Sequence, residues 1–132
     1  MTPKDVAEKI IDVLDGKKAG DLKLLKTDRL TVLADYFVIC TANSTSHIKT
    51  LSDEVERVLE EAGETVLRRE GYREGGWVLL DFGCAIVHLF LEDTRKFYNL
   101  EHLWSDAESI DVEAVLNGNR MSQEKWQDLR QS

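Results

Sequence analysis

The sequence predicts an α/β domain, a small mixed β-sheet with flanking helices, and three observations carry that reading. Two stretches near residues 6–14 and 48–59 place apolar side chains at helical spacing. An apolar, β-forming run from Leu33 to Thr41 passes straight into the polar residues Asn43-Ser44-Thr45-Ser46, which are suited to starting a helix. Two further apolar runs, Trp77 to Leu80 and Cys84 to Leu89, flank Asp81-Phe82-Gly83, a tight-turn sequence that should pair them antiparallel.

Taken in order, Thr2 caps a first helix, with Pro3 at its first position and Asp5 three residues beyond the cap. Val6, Ile10, Val13 and Leu14 form its stripe and Gly16 ends it. Asp21 to Thr27 is a short strand with Leu22 and Leu24 on one face, and Leu33 to Thr41 a central one. Ser44, Thr45 or Ser46 starts the second helix. Ile48, Leu51, Val55, Val58 and Leu59 are its buried stripe, Asp53, Glu54, Glu56, Glu60 and Glu61 its acidic outer face, and Gly63 its end. Strands follow at 64–69, 77–80 and 84–89. Next comes a helical region from Thr94 to Trp104, whose Phe97, Leu100, Leu103 and Trp104 are available to cover the sheet. Ile110, Val112, Val115 and Leu116 suggest one more short packing segment. The domain is assigned to residues 1–116, and 117–132 form a poorly specified tail in which Trp126 and Leu129 mark a marginal helix.

At 132 residues, 42% hydrophobic and 32% charged, the chain has the size and composition of one globular domain. Twenty-five acids against seventeen bases give a formal charge of -8, which opposes non-specific binding to nucleic acid but suits a basic protein partner. Met1-Thr2-Pro3-Lys4-Asp5 leads into an amphipathic helix rather than a signal peptide, and no apolar stretch approaches the ~20 residues of a bilayer span. A cytoplasmic protein with two buried thiols, Cys40 and Cys84, is the expectation.

A catalytic nucleotidyl-transfer site needs carboxylates converging on a divalent ion, and alternate acids on one strand would supply them. No strand has that pattern. Asp106 with Glu108, and Asp111 with Glu113, have the spacing but fall in helical or irregular sequence, while Asp35 and Asp81 sit at strand ends, where acids form turns. The helix start at Asn43 to Ser46 could hold an anion, but it lacks the glycines of a phosphate loop, and capping is the simpler role. His47, His88, His102 and the two cysteines show no metal-ligand spacing. Cys84 and His88 would share a strand face about 13 Å apart, too far for a nucleophilic pair. No catalytic residue, metal or cofactor is therefore assigned. The loop Arg68 to Glu74, containing Tyr72 and leading through Gly75-Gly76 to Trp77, carries the residue types that anchor protein contacts. Trp77 could equally pack against a helix.

Several ordered blocks resemble the bacterial ribosomal silencing factor family, RsfS, related to plant Iojap. They are Ala34 to Ser44 with His47-Ile48, Glu70-Gly71-Tyr72, Trp77 to Gly83, Val87 to Phe90 and Arg95 to Ala107. The resemblance implies a nucleotidyltransferase-like fold without the catalytic acids and a non-enzymatic role. Such a protein binds the large ribosomal subunit through ribosomal protein uL14 and blocks joining of the small subunit, reducing translation when nutrients are scarce. It also implies a homodimer in the free state. With Tyr72 from the charged loop, the candidate partner-binding residues are Tyr72, Trp77, Asp81, His88, Tyr98 and Asn99. A residual nucleotidyltransferase or nucleotide-binding regulator is the alternative.

Overall fold

The computed structural model describes residues 1–118. Six strands, β1 (Gly20–Lys26), β2 (Tyr36–Ala42), β3 (Arg68–Glu70), β4 (Trp77–Asp81), β5 (Ala85–Leu91) and β6 (Glu108–Ile110), form one sheet in the order β3-β4-β5-β2-β1-β6. Only β2 and β5 run parallel; the other neighbours are antiparallel. Helices α1 (Pro3–Gly16) and α2 (Thr45–Glu61) cover one face. Two short helices, α3 (Glu92–Tyr98) and α4 (Leu100–Leu103), cross part of the other. Residues 112–118 are also helical.

Helix α1 starts as its sequence dictates. Thr2 Oγ1 accepts from the Asp5 N–H at 3.1 Å, and Asp5 Oδ2 accepts from the Thr2 N–H at 3.2 Å, a reciprocal capping box. Its buried Val6, Ile10 and Leu14 meet Ile48, Leu51, Val55 and Leu59 of α2 over Val38, Cys40, Val87 and Leu89 of the sheet. Strands β2 and β5 are buried on both faces, which is why their sequences read as continuous apolar runs. The β4–β5 hairpin closes as expected: Gly83 takes a φ of +84° and donates its N–H to Asp81 Oδ1 at 2.8 Å.

Several boundaries differ from expectation. The segment expected as a strand over 64–69 forms only three exposed residues, Arg68–Glu70, at the sheet edge. Strand β2 begins at Tyr36, leaving Leu33 65% exposed in the preceding loop. The helical region after β5 breaks at Asn99, whose φ of +46° is left-handed. In consequence Phe97 (82% exposed) and Leu103 (70%) face solvent, and only Leu100 and Trp104 cover the sheet. Glu108 lies in β6, paired to Lys26 of β1, rather than in helical or irregular sequence. Cys40 is fully buried, which pushes its thiol up to about 12, while Cys84 is half-buried, and both are free. Cys84 precedes β5 and packs toward the α1–α2 core, so it does not share a strand face with His88. The marginal helix at Trp126 and Leu129 lies outside the described residues.

Candidate functional site

The helix-start residues Asn43 to Ser46 are committed to structure. Ser44 is the cap, its Oγ accepting from the His47 N–H at 3.0 Å. The Asn43 N–H donates to His47 Nδ1 at 2.8 Å, so the opposite ring nitrogen, Nε2, carries the hydrogen and donates to the Lys17 carbonyl at 2.9 Å. His47 thus ties the start of α2 to the end of α1, and the Asn43 and His47 amides at this helix start are already engaged. Among the described residues, no cluster of three or more His, Cys, Asp or Glu could hold a metal ion. His102 is exposed on α4.

The other sheet face gathers the aromatic residues. Side chains alternate along a strand, so Trp77, Leu79 and Asp81 of β4 share this face with their partners Phe90, His88 and Ile86 of β5. Trp77 is neither buried nor free. Its ring is half-buried, 5.0 Å from Phe90 and 4.6 Å from Tyr98 of α3, and Nε1 donates to His88 Nδ1 at 3.2 Å. Phe37 meets the edges of both His88 (5.3 Å) and Trp104 (5.0 Å). His88 is 5% exposed, and burial lowers its pKa to about 4, so it is neutral near pH 7. An indole N–H only donates; His88 Nδ1 must therefore accept, which places the remaining hydrogen on Nε2.

Over this buried layer lies an exposed one. Tyr98 is 49% exposed, and Phe97, beside it at 5.1 Å, presents nearly its whole ring to solvent. The left-handed Asn99 turns the chain directly after them. Gly71 sets the level of Trp77: at a φ of +81°, a Cβ there would lie 1.9 Å from the Trp77 carbonyl oxygen, so only glycine allows the 71–76 loop to close on the start of β4. Asp81 sits at the far end of the same row, 3.9 Å from Arg68 of β3.

The structure therefore brings together Trp77, His88 and Tyr98, with Asp81 and Asn99 at the margins of one face. Tyr72 does not join them. Its hydroxyl donates to Asp53 of α2 at 3.0 Å and its ring lies under the Arg69 guanidinium at 4.2 Å, on the α2 side of the sheet. Two residues of the face escaped sequence reasoning in kind: Phe97, taken as a core residue, is its most exposed ring, and Arg95, which holds α3 in place, gave no local signal. Arg95 is buried and donates to the Asp21 carbonyl and to Thr41 Oγ1, 74 and 54 residues away in sequence. Nothing in the neighbouring residues announces such partners.

A family model described as "Ribosomal silencing factor during starvation" matches residues 1–132. The chain belongs to the RsfS family. It is 36% identical over 117 residues to the ribosomal silencing factor RsfS of Bacillus subtilis, covering 89% of this chain and 99% of that one. To the protein of the same name from Halalkalibacterium halodurans it is 35% identical, again over 89% of this chain and all of the relative. A crystal structure of a Chromobacterium violaceum protein superimposes with a TM-score of 0.78 at 33% identity, covering 80% of this chain and 88% of that one. The mixed sheet with flanking helices is thus an architecture shared with solved structures at clear sequence identity.

Proposed function

We propose that this chain is a non-enzymatic translational repressor that docks on the large ribosomal subunit, mainly on ribosomal protein uL14, and sterically blocks joining of the small subunit under nutrient limitation. Membership of the RsfS family supports the ribosomal role. The observation that carries the docking reading is the stack on the second sheet face, where exposed Tyr98, with Phe97 at its side, rests on a half-buried Trp77 that is pinned to neutral His88. Aromatic anchors already held in one conformation lose little entropy on binding, and such residues concentrate interface energy. The charge of -8 favours a basic protein over bare ribosomal RNA. A nucleotidyltransferase-like frame is here put to a steric use, in the cytoplasm, and the free protein covers its exposed rings by forming a homodimer.

Sedimentation of mixed subunits with increasing protein tests this reading. Whole ribosomes should give way to separate subunits, with this protein travelling on the large one, and the effect should be strongest when it is added before joining. Co-sedimentation with the small subunit alone, or unchanged joining at saturating occupancy, would refute the steric block. Metal-dependent turnover of nucleoside triphosphates would instead favour a residual transferase.

A further inference from the structure

On the opposite side of the sheet from the aromatic stack, between α1, the start of β2 and the helix at 112–118, an apolar groove of about 290 Å³ stands open. Ala7, Leu24, Tyr36, Ile110, Ala114 and Val115 line it. A cavity of about 150 Å³ already admits benzene, so this groove has room for a larger aromatic side chain. Tyr36 is only 7% exposed, yet its hydroxyl keeps solvent access and has no hydrogen-bond partner among the described residues. Burial, and then the charges of Asp28, Asp35, Glu8 and Glu108, hold that hydroxyl above the usual tyrosine range, so it stays protonated and able to donate. A buried ring that ends in an open, unfilled hydroxyl gives an apolar seat one polar handle.

The charges around the groove select its occupant. Glu8 and Asp111 line it with Lys4, and the carboxylates of Asp28, Asp35 and Glu108 stand close enough to Tyr36 to act on its hydroxyl. None of these five acids forms a salt bridge with another described residue. An apolar seat inside an unpaired acidic rim suits an aromatic side chain flanked by bases. The chain carries such a segment just beyond the groove wall: Trp126 follows Lys125, and residues 119–132 hold Arg120, Lys125 and Arg130 against Glu124 and Asp128, in a protein whose overall charge is -8. Trp126 stands eight residues after Gly118, a reach of about 26 Å when extended, whereas Ala114 lies only about 6 Å of helix rise before Gly118. The connection is ample for the indole to return to the groove.

We propose that this groove is an intramolecular docking site for the chain's own segment 119–132, with Trp126 seated against Leu24, Ile110 and Val115, the Tyr36 hydroxyl bonded to the incoming segment, and Lys125 or Arg130 facing the acidic rim. The seat lies away from Trp77, so its failure leaves the ribosomal reading untouched. In the full-length chain the Trp126 indole signals, assigned by their loss in Trp126→Phe, should show NMR contacts to Leu24 and Val115. Trypsin should cut slowly after Lys125. Ala114→Arg sets a long cation over the groove from an exposed helical position, and with the fold intact by circular dichroism it should erase the contacts and speed that cleavage about tenfold. Trp126→Ala, which leaves the described core as it is, should speed it equally, and Tyr36→Phe about threefold. A Trp126 with the signals of a free indole, or with contacts to Trp77 and Tyr98 instead, would overturn the proposal. So would cleavage that neither Ala114→Arg nor Trp126→Ala accelerates. Contacts seen only between differently labelled copies in a mixed sample would place the segment on a second molecule, which also overturns the intramolecular seat.

Discussion

Replacing Trp77 by Phe isolates one interaction at the centre of the proposed docking face. Phenylalanine keeps a ring between Phe90 and Tyr98, which lie 5.0 and 4.6 Å from the indole, but cannot donate to His88. The loss has two parts: a net hydrogen bond of about 1 kcal/mol, and the cost of a buried imidazole nitrogen left without its donor, about 1 kcal/mol more. Trp77→Phe should therefore lower stability by about 2 kcal/mol, or roughly 5–10 °C in Tm for a domain of this size. Trp77→Ala removes the ring as well and should cost about 3–5 kcal/mol. Urea unfolding at pH 7 with both variants measures the two steps. A second readout is specific to the hydrogen bond: the ring-nitrogen NMR signals of His88 should report Nε2 protonation with an acceptor Nδ1 in the wild type, and that preference should weaken in Trp77→Phe. A Trp77→Phe protein as stable as wild type, with the same tautomer at His88, would refute the claim that this contact fixes the face.

Three further outcomes follow from particular residues. His88 has a folded pKa of about 4, below the ordinary histidine value of 6.5, so the unfolded chain binds the extra proton first. Its contribution to stability is complete above pH 6.5 and is lost as pH falls from there toward 4, roughly 3 kcal/mol in all; a pH series of urea midpoints should show this component, and His88→Gln should remove it. Phe97→Ser, at an 82% exposed position, should leave stability within about 0.5 kcal/mol yet weaken large-subunit binding by ~2 kcal/mol, checked by unfolding and co-sedimentation together. Gly71→Ala must place its Cβ against the Trp77 carbonyl at a φ of +81°, and should cost about 3 kcal/mol or more by thermal unfolding while also weakening docking through displacement of Trp77.

The parts legible in the sequence are those governed by near neighbours. The capping box at Thr2 and Asp5, the cap at Ser44, the apolar stripes of α1 and α2 and the turn at Asp81-Phe82-Gly83 each depend on residues within four positions of one another, and each forms as read except that Val58, expected in the buried stripe of α2, is only half-buried. The central strands were equally plain, because burial on both faces leaves few polar positions in them, Thr41 and His88. Ordered blocks of residues also placed the chain in its family, though not through any one chemical feature.

Tertiary structure decided the rest. Glu108-Ser109-Ile110 has little strand character of its own and becomes β6 because the edge of β1, far earlier in the chain, offers hydrogen-bond partners, Ile110 against Leu24. Phe97 fits a covering helix by pattern, but the left-handed Asn99 ends that helix and leaves the ring in solvent. Tyr72 and Trp77 stand five residues apart in a loop of similar composition, yet the sheet separates them: the register and α2 contacts send Tyr72 to one side and Trp77 to the other. The buried hydrogen-bond set of Arg95 forms only once β1, β2 and α4 converge on it. Local sequence fixes helices, caps and turns because their energies are set within a turn of chain, whereas which rings meet solvent and which charges meet each other depends on contacts between segments that only the folded chain brings together.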